Sequence, residues 1–188
     1  MDKREQLVRA AFRLFYEQGI HAVGINLVLQ ETGIAKKTLY HHFSGKEALV
    51  AAAIRHRDDT YLAWLSQRLG SVPSGESAIL ELFNALDDWF HDRVPEIDHF
   101  RGCFFINASA EYGDRNSAIH QACAEHKAKV AELIRSHVEA MSVSEERVED
   151  LARLIVLLKE GAISVAHVQG NLDAAREAGK SLQGLLGG

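Results

Sequence analysis

Apolar residues recur three and four apart along nearly the whole chain, and nowhere does an alternation of apolar and polar residues persist. A period near 3.6 seals one face of a helix, whereas a half-buried strand needs a period of two, so the pattern predicts an all-α fold. Leu7, Val8, Ala11, Phe12, Leu14 and Phe15 make the first stripe, and Gly19 stops it. Short helices are expected at about 25–32 and 36–43, parted by Gly33. Ser44, with Glu47 three residues on, reads as a capping box opening a long helix to about Leu69. Others are expected over about 77–92, 102–112 and 117–141, then from a Ser144 cap to about Val168, with a last helix ending at Gly187–Gly188. Proline only at Pro73 and Pro95 leaves these runs intact, and the count is about nine helices.

Charge divides the chain. Residues 1–57 carry nine Lys/Arg against five Asp/Glu, a net of +4, and the rest carries 12 against 21, a net of −9. A basic head on an acidic body is expected where only the head meets phosphate. The expected organisation is a phosphate-meeting head over residues 1–50 and a separate body over 51–188. No apolar run approaches the ~20 residues of a membrane span. The charged stretch Met1–Arg9 lacks the apolar core of an export signal, and Cys103 and Cys123 are too few for a disulfide framework. A cytoplasmic protein with no membrane partner is therefore expected.

The window from Gly24 to Lys46 reads GINLVLQETGIAKKTLYHHFSGK. It spells two short helices joined by a tight turn, a helix-turn-helix over about 25–44. Val28, Leu29 and Thr32 face inward on the first helix, Gly33 takes the break, Ile34 plugs the corner, and Leu39 and Phe43 anchor the second. The outer side then presents Lys36, Lys37, Thr38, Tyr40 and His41. Those basic, hydroxyl and aromatic groups suit phosphates and base edges in a major groove.

The string GIAKKTLYHHFSGKEALV, with Phe15, Gly19 and Ile25 upstream, resembles the TetR/AcrR family of tetracycline-repressor-like regulators over about residues 5–57. The resemblance implies a three-helix head whose Lys36, Lys37, Thr38, Tyr40 and His41 sit in or beside the groove. It implies that Lys46 holds a phosphate with the N-terminus of the next helix, and that His42 and Phe43 are structural. Gly24 and Ala35 stand where the family usually has capping Thr or Ser residues.

The resemblance also implies a body that binds a small molecule between its helices and dimerises through the last two. Candidate pocket residues are Trp64, Phe83, Trp89, Phe90, Phe100, Phe104, Asn107, Glu111, Tyr112 and His126, against the alternative that most are plain core. Asn107 and Glu111 fall four apart on an apolar helix, where an unpaired polar group is costly; a hydrogen bond to a neighbouring helix explains them equally well. From Leu151, the residues Leu151, Leu154, Ile155, Leu158, Ala162 and Val165 make one apolar side, widened by Val148, Leu157, Gly161 and Val168. A helix with two apolar surfaces has a core and a partner to cover.

The expectation is a one-component transcriptional regulator, a homodimer that represses from a palindromic operator in double-stranded DNA and is released by an unidentified small-molecule effector. Repression is the family's habit, not something the residues spell. No catalytic set, metal site or cofactor is expected: His120, Cys123 and His126 share a helical face but repeat no ligand spacing, and Cys103 has only Arg101 beside it. An enzyme using Glu111 with a histidine, and a helical adaptor binding protein instead of DNA, are the alternatives.

Overall fold

The computed structural model describes residues 1–141 and 143–186. Among them the chain forms nine α-helices: α1 (Lys3–Gln18), α2 (Ile25–Thr32), α3 (Lys36–His42), α4 (Lys46–Gly70), α5 (Glu76–Phe90), α6 (Phe104–Glu111), α7 (Ala118–Glu139), α8 (Glu145–Gln169) and α9 (Ala174–Leu186). A 3-10 turn at Pro95–Ile97 joins them, and no strand occurs among the described residues. The all-α expectation holds. Gly187–Gly188, expected to end the last helix, lie outside the described residues.

Helix ends follow local chemistry. Asp2 caps α1, its carboxylate accepting the Glu5 N–H at 2.7 Å. Neither Gly24 nor Ala35 gives its helix a side-chain cap, as their residue types require. Gly33 ends α2 at φ 65°, the left-handed conformation that glycine adopts without strain. The long α4 starts at Lys46, beyond the Ser44 cap expected, with the Leu49 N–H closing on the Gly45 carbonyl at 3.3 Å. Ser144 does precede α8 in extended backbone, although its side chain makes no cap bond.

The helices fall into two compact units, parted within α4 after Asp59 and within α7 after His126. The first unit holds residues 1–59 with 104–126, so it contains the expected 1–50 head together with α6. Its core is the α1 stripe Leu7, Val8, Ala11, Phe12, Leu14 and Phe15, all buried, with Val28, Leu39 and Phe43. Phe104 of α6 meets Phe12 edge-on at 5.1 Å between ring centres.

In the second unit α5 packs on α9 and α8, and α8 on α9. Ile79, Leu82, Phe83, Leu86, Trp89 and Phe90 bury one face of α5. Gly179 lets α9 approach closely, since a Cβ there would lie 3.1 Å from the Phe83 Cβ. Arg68 ties α4 to α5 through Glu81 at 2.8 Å and Asp88 at 2.7 Å. Burial alone would raise the Asp88 pKa, but the guanidiniums of Arg68 and Arg93 hold it below the ordinary carboxylate range.

Candidate nucleic-acid interface

Helix α3 separates its residues cleanly. Leu39 is fully buried and Phe43 nearly so, with Ile34 closing the corner between α2 and α3. Lys36, Lys37, Tyr40 and His41 are exposed and Thr38 is half-buried. Tyr40 keeps 48% of its surface open to solvent and so is no part of the core. The Lys36 ammonium sits 6.0 Å from the centre of the Tyr40 ring. His42, expected to be structural, is exposed as well, its ring edge-on to His41 at 5.1 Å. The outer side thus offers two ammonium groups, a phenol and two imidazoles, which can donate to phosphates and to guanine or thymine edges.

Lys46 enters α4 half-buried, its Nζ donating to the His21 carbonyl at 3.4 Å. That bond holds the ammonium at the α4 N-terminus, where backbone N–H groups also favour an anion. Arg13 of α1 pairs with Glu31 of α2 at 2.7 Å across an exposed surface.

Five of the ten pocket candidates lie in the same unit as α3, and their contacts are specific. Phe104 is core. Glu111 departs from the pocket expectation: its two carboxylate oxygens accept the N–H groups of Ile20 at 2.7 Å and His21 at 2.6 Å, in the turn after α1. The alternative weighed for this residue is a hydrogen bond to a neighbouring helix; the bonds formed go to a turn between two helices instead. Tyr112 lays its ring by His21 at 5.2 Å, and its burial, then the charges of Glu47 and Glu111, push its hydroxyl pKa up. Asn107 is half-buried on α6. His126 is buried, with Nδ1 2.8 Å from Asp58 Oδ1 and its ring stacked on Phe105.

The other five, Trp64, Phe83, Trp89, Phe90 and Phe100, belong to the second unit. Trp89 meets Phe100 edge-on at 4.9 Å, and Phe90 lies 4.6 Å from the same ring. Tyr61 bridges Trp64 at 5.2 Å and Trp89 at 5.6 Å. Lys159, which the sequence reading passed over, is buried beside this group. Its only sequence signal was a charge inside the apolar run from Leu151 to Val165. Cys103 is buried and accepts from the Lys127 ammonium at 3.3 Å.

The expected dimer stripe on α8 splits in two. Leu151, Ile155 and Ala162 are buried in their own unit with Ala152, Lys159, Ile163 and Ala166. Leu154, Leu157 and Val168 are exposed, and Leu158 and Val165 half-exposed. Residues 154, 157, 158, 161, 165 and 168 follow helical spacing, so the uncovered apolar face lies round the helix from the buried one. Leu172, just before α9, and Leu185, on it, add exposed apolar surface.

The model described as bacterial regulatory proteins of the tetR family matches residues 7–53, the span that builds α1 to α3 and opens α4. A second, described as the C-terminal domain of LmrA/YxaF-like transcriptional regulators, matches residues 79–181, more than half of the chain. The chain belongs to the TetR family. It is similar to an uncharacterized HTH-type transcriptional regulator of Mycobacterium tuberculosis, 28% identical over 97% of this chain and 93% of that protein. It is also similar to the HTH-type transcriptional regulator LmrA of Bacillus subtilis, 24% identical over 86% of this chain and 85% of the other. A TetR-family transcriptional regulator from Streptomyces coelicolor superposes with a TM-score of 0.85 at 29% identity, over 97% of this chain and 93% of that one. As a member of the TetR family the protein is a helix-turn-helix DNA-binding transcriptional regulator, and no helix among its described residues is long and apolar enough to cross a membrane.

Proposed function

We propose that this regulator is a homodimeric repressor that holds two successive major grooves of a palindromic operator and leaves it when a small molecule binds the body. The observation that carries the DNA reading is the outer side of α3, with Lys36, Lys37, Tyr40 and His41 in solvent over a buried Leu39 anchor. A helix held rigidly from behind and presenting donors in front fits the recognition helix of a helix-turn-helix. The dimer reading rests on the uncovered Leu154, Leu157 and Val168, and a two-fold dimer demands a two-fold operator. Release follows from linkage: an effector favouring a state of the dimer that fits the operator poorly lowers DNA affinity by its own differential affinity for the two states.

Selection of bound sequences from random duplex DNA tests this. Inverted repeats with half-sites one helical turn apart or a multiple of it are the expected result. Recovery of single, non-repeated sites would count against the dimer, and affinity indifferent to salt would count against the groove-binding face.

A further inference from the structure

The buried side chains of the second unit are rich in hydrogen-bond donors and poor in acceptors at one place. Tyr61 and Trp64 of α4 and Trp89 of α5 form an aromatic triad with Trp64 and Trp89 centres 6.3 Å apart. Lys159 of α8 is 1% exposed, and its Nζ lies 5.8 Å from the Tyr61 ring centre. An ammonium has three protons to donate. Lys159 gives one to Glu160 Oε1 at 2.8 Å, and Glu160 also takes the Lys127 ammonium at 2.6 Å on its other oxygen. Two cations therefore share one carboxylate, leaving an excess positive charge; Lys127 and Glu160 keep about a quarter of their side chains in solvent, whereas the Lys159 ammonium is shut off from it. The Trp64 Nε1–H is buried too, and no described residue accepts it. Burying donors and charge without acceptors is costly. An aromatic cluster with a buried cation and a free indole N–H is what a flat ring bearing an anionic group needs.

We infer that Tyr61, Trp64, Trp89 and Lys159 bind an aromatic anion, its ring packed against this cluster and its carboxylate or equivalent acceptor group on the Lys159 ammonium and the Trp64 N–H. This rests on the effector reading above and names the chemical class of that effector. A cationic or purely aliphatic ligand fits poorly, since the first meets the Lys127 and Lys159 charges and the second leaves the donors unmet.

Both tryptophans of the chain belong to this cluster, so all of its indole fluorescence reports on it. Para-tert-butylbenzoate, its neutral amide and the matching benzylammonium form a probe series of one shape and three charges. Titrated into the full-length protein without DNA, the benzoate is expected to change the emission saturably. The amide should bind at least tenfold more weakly and the ammonium not at all. Lys159→Met should cut benzoate affinity at least tenfold and leave the amide unchanged, whereas Trp64→Phe should weaken both. Equal binding of benzoate and amide, or no response to any probe, overturns the inference without needing a variant that folds. Operator affinity of the unliganded protein is measured separately. Its loss would sink the regulator reading, while a failed charge series with intact DNA binding would sink only the ligand class.

Discussion

The Glu111 carboxylate accepts two adjacent backbone N–H groups, those of Ile20 and His21, and so clamps the turn that leads from α1 to α2. Gly19 makes that turn at φ 88°, and a Cβ added there would lie 3.5 Å from the same carboxylate. Charge-assisted bonds to a carboxylate exceed neutral ones, and Gln can accept at only one of its two terminal atoms. Glu111→Gln is therefore expected to cost about 1–3 kcal/mol in a thermal or urea melt, because its amide nitrogen would face a backbone donor. An unshifted melt would show the clamp to be dispensable. Glu160 gives the second expectation at this scale. Burial would raise its pKa, but Lys159 and Lys127 bring it from the ordinary 4.5 to about 2. A depressed carboxylate stabilises the fold above its unfolded pKa, here by about 3 kcal/mol, and the gain fades as pH falls from about 4.5 toward about 2. Urea melts of the wild type and Glu160→Gln should differ fully at pH 7 and by less than half as much at about pH 3. A gap that persists undiminished at that pH would place the stabilisation elsewhere.

At the scale of elements, periodicity is a local signal, which is why the nine helices were legible and their partners were not. Gly33 and Leu39 act within a few residues of where they sit, so the turn and the anchor of α3 could be read directly from GIAKKTLYHHF. Glu111 acts on a segment about ninety positions earlier, and nothing beside it in sequence separates a clamp from a pocket wall. Helix α8 is apolar round most of its surface between Leu151 and Val168, so its pattern reveals two covered faces without saying which is which. Only packing against α5 and α9 assigns Ile155 to the unit's own core and leaves Leu157, 64% exposed, for a partner. Leu157→Glu should therefore leave helix content and melting temperature near the wild type while sedimentation shows monomer. Ile155→Glu should instead unfold the body, since it puts a charge into fully buried surroundings. Retention of the dimer by Leu157→Glu would move the interface to another face.

For the whole molecule, net charge and DNA binding look opposed, since the chain carries −5 at pH 7. Screening at physiological salt confines attraction to charges within roughly 8 Å of a phosphate, so the few cations that touch the backbone set the electrostatics of binding. Each phosphate so neutralised releases counterions and steepens the fall of log affinity with log salt by about 0.9. Lys46, held at the start of α4 by the His21 carbonyl, is one such cation in the regulator proposed above. A dimer on a two-fold operator presents it twice. Lys46→Ala is thus expected to flatten the salt slope by about 1.8, against about 0.9 for a single copy on the DNA. The substitution should weaken specific and nonspecific duplexes alike, because a phosphate contact carries no sequence information. Combined with Leu157→Glu, the same change should remove only about 0.9 from whatever slope remains. The double variant thereby reads, in one titration series, both the number of copies bound and the contact each of them makes. An unchanged slope in Lys46→Ala would leave the affinity to Lys36 and Lys37 and take Lys46 off the phosphate.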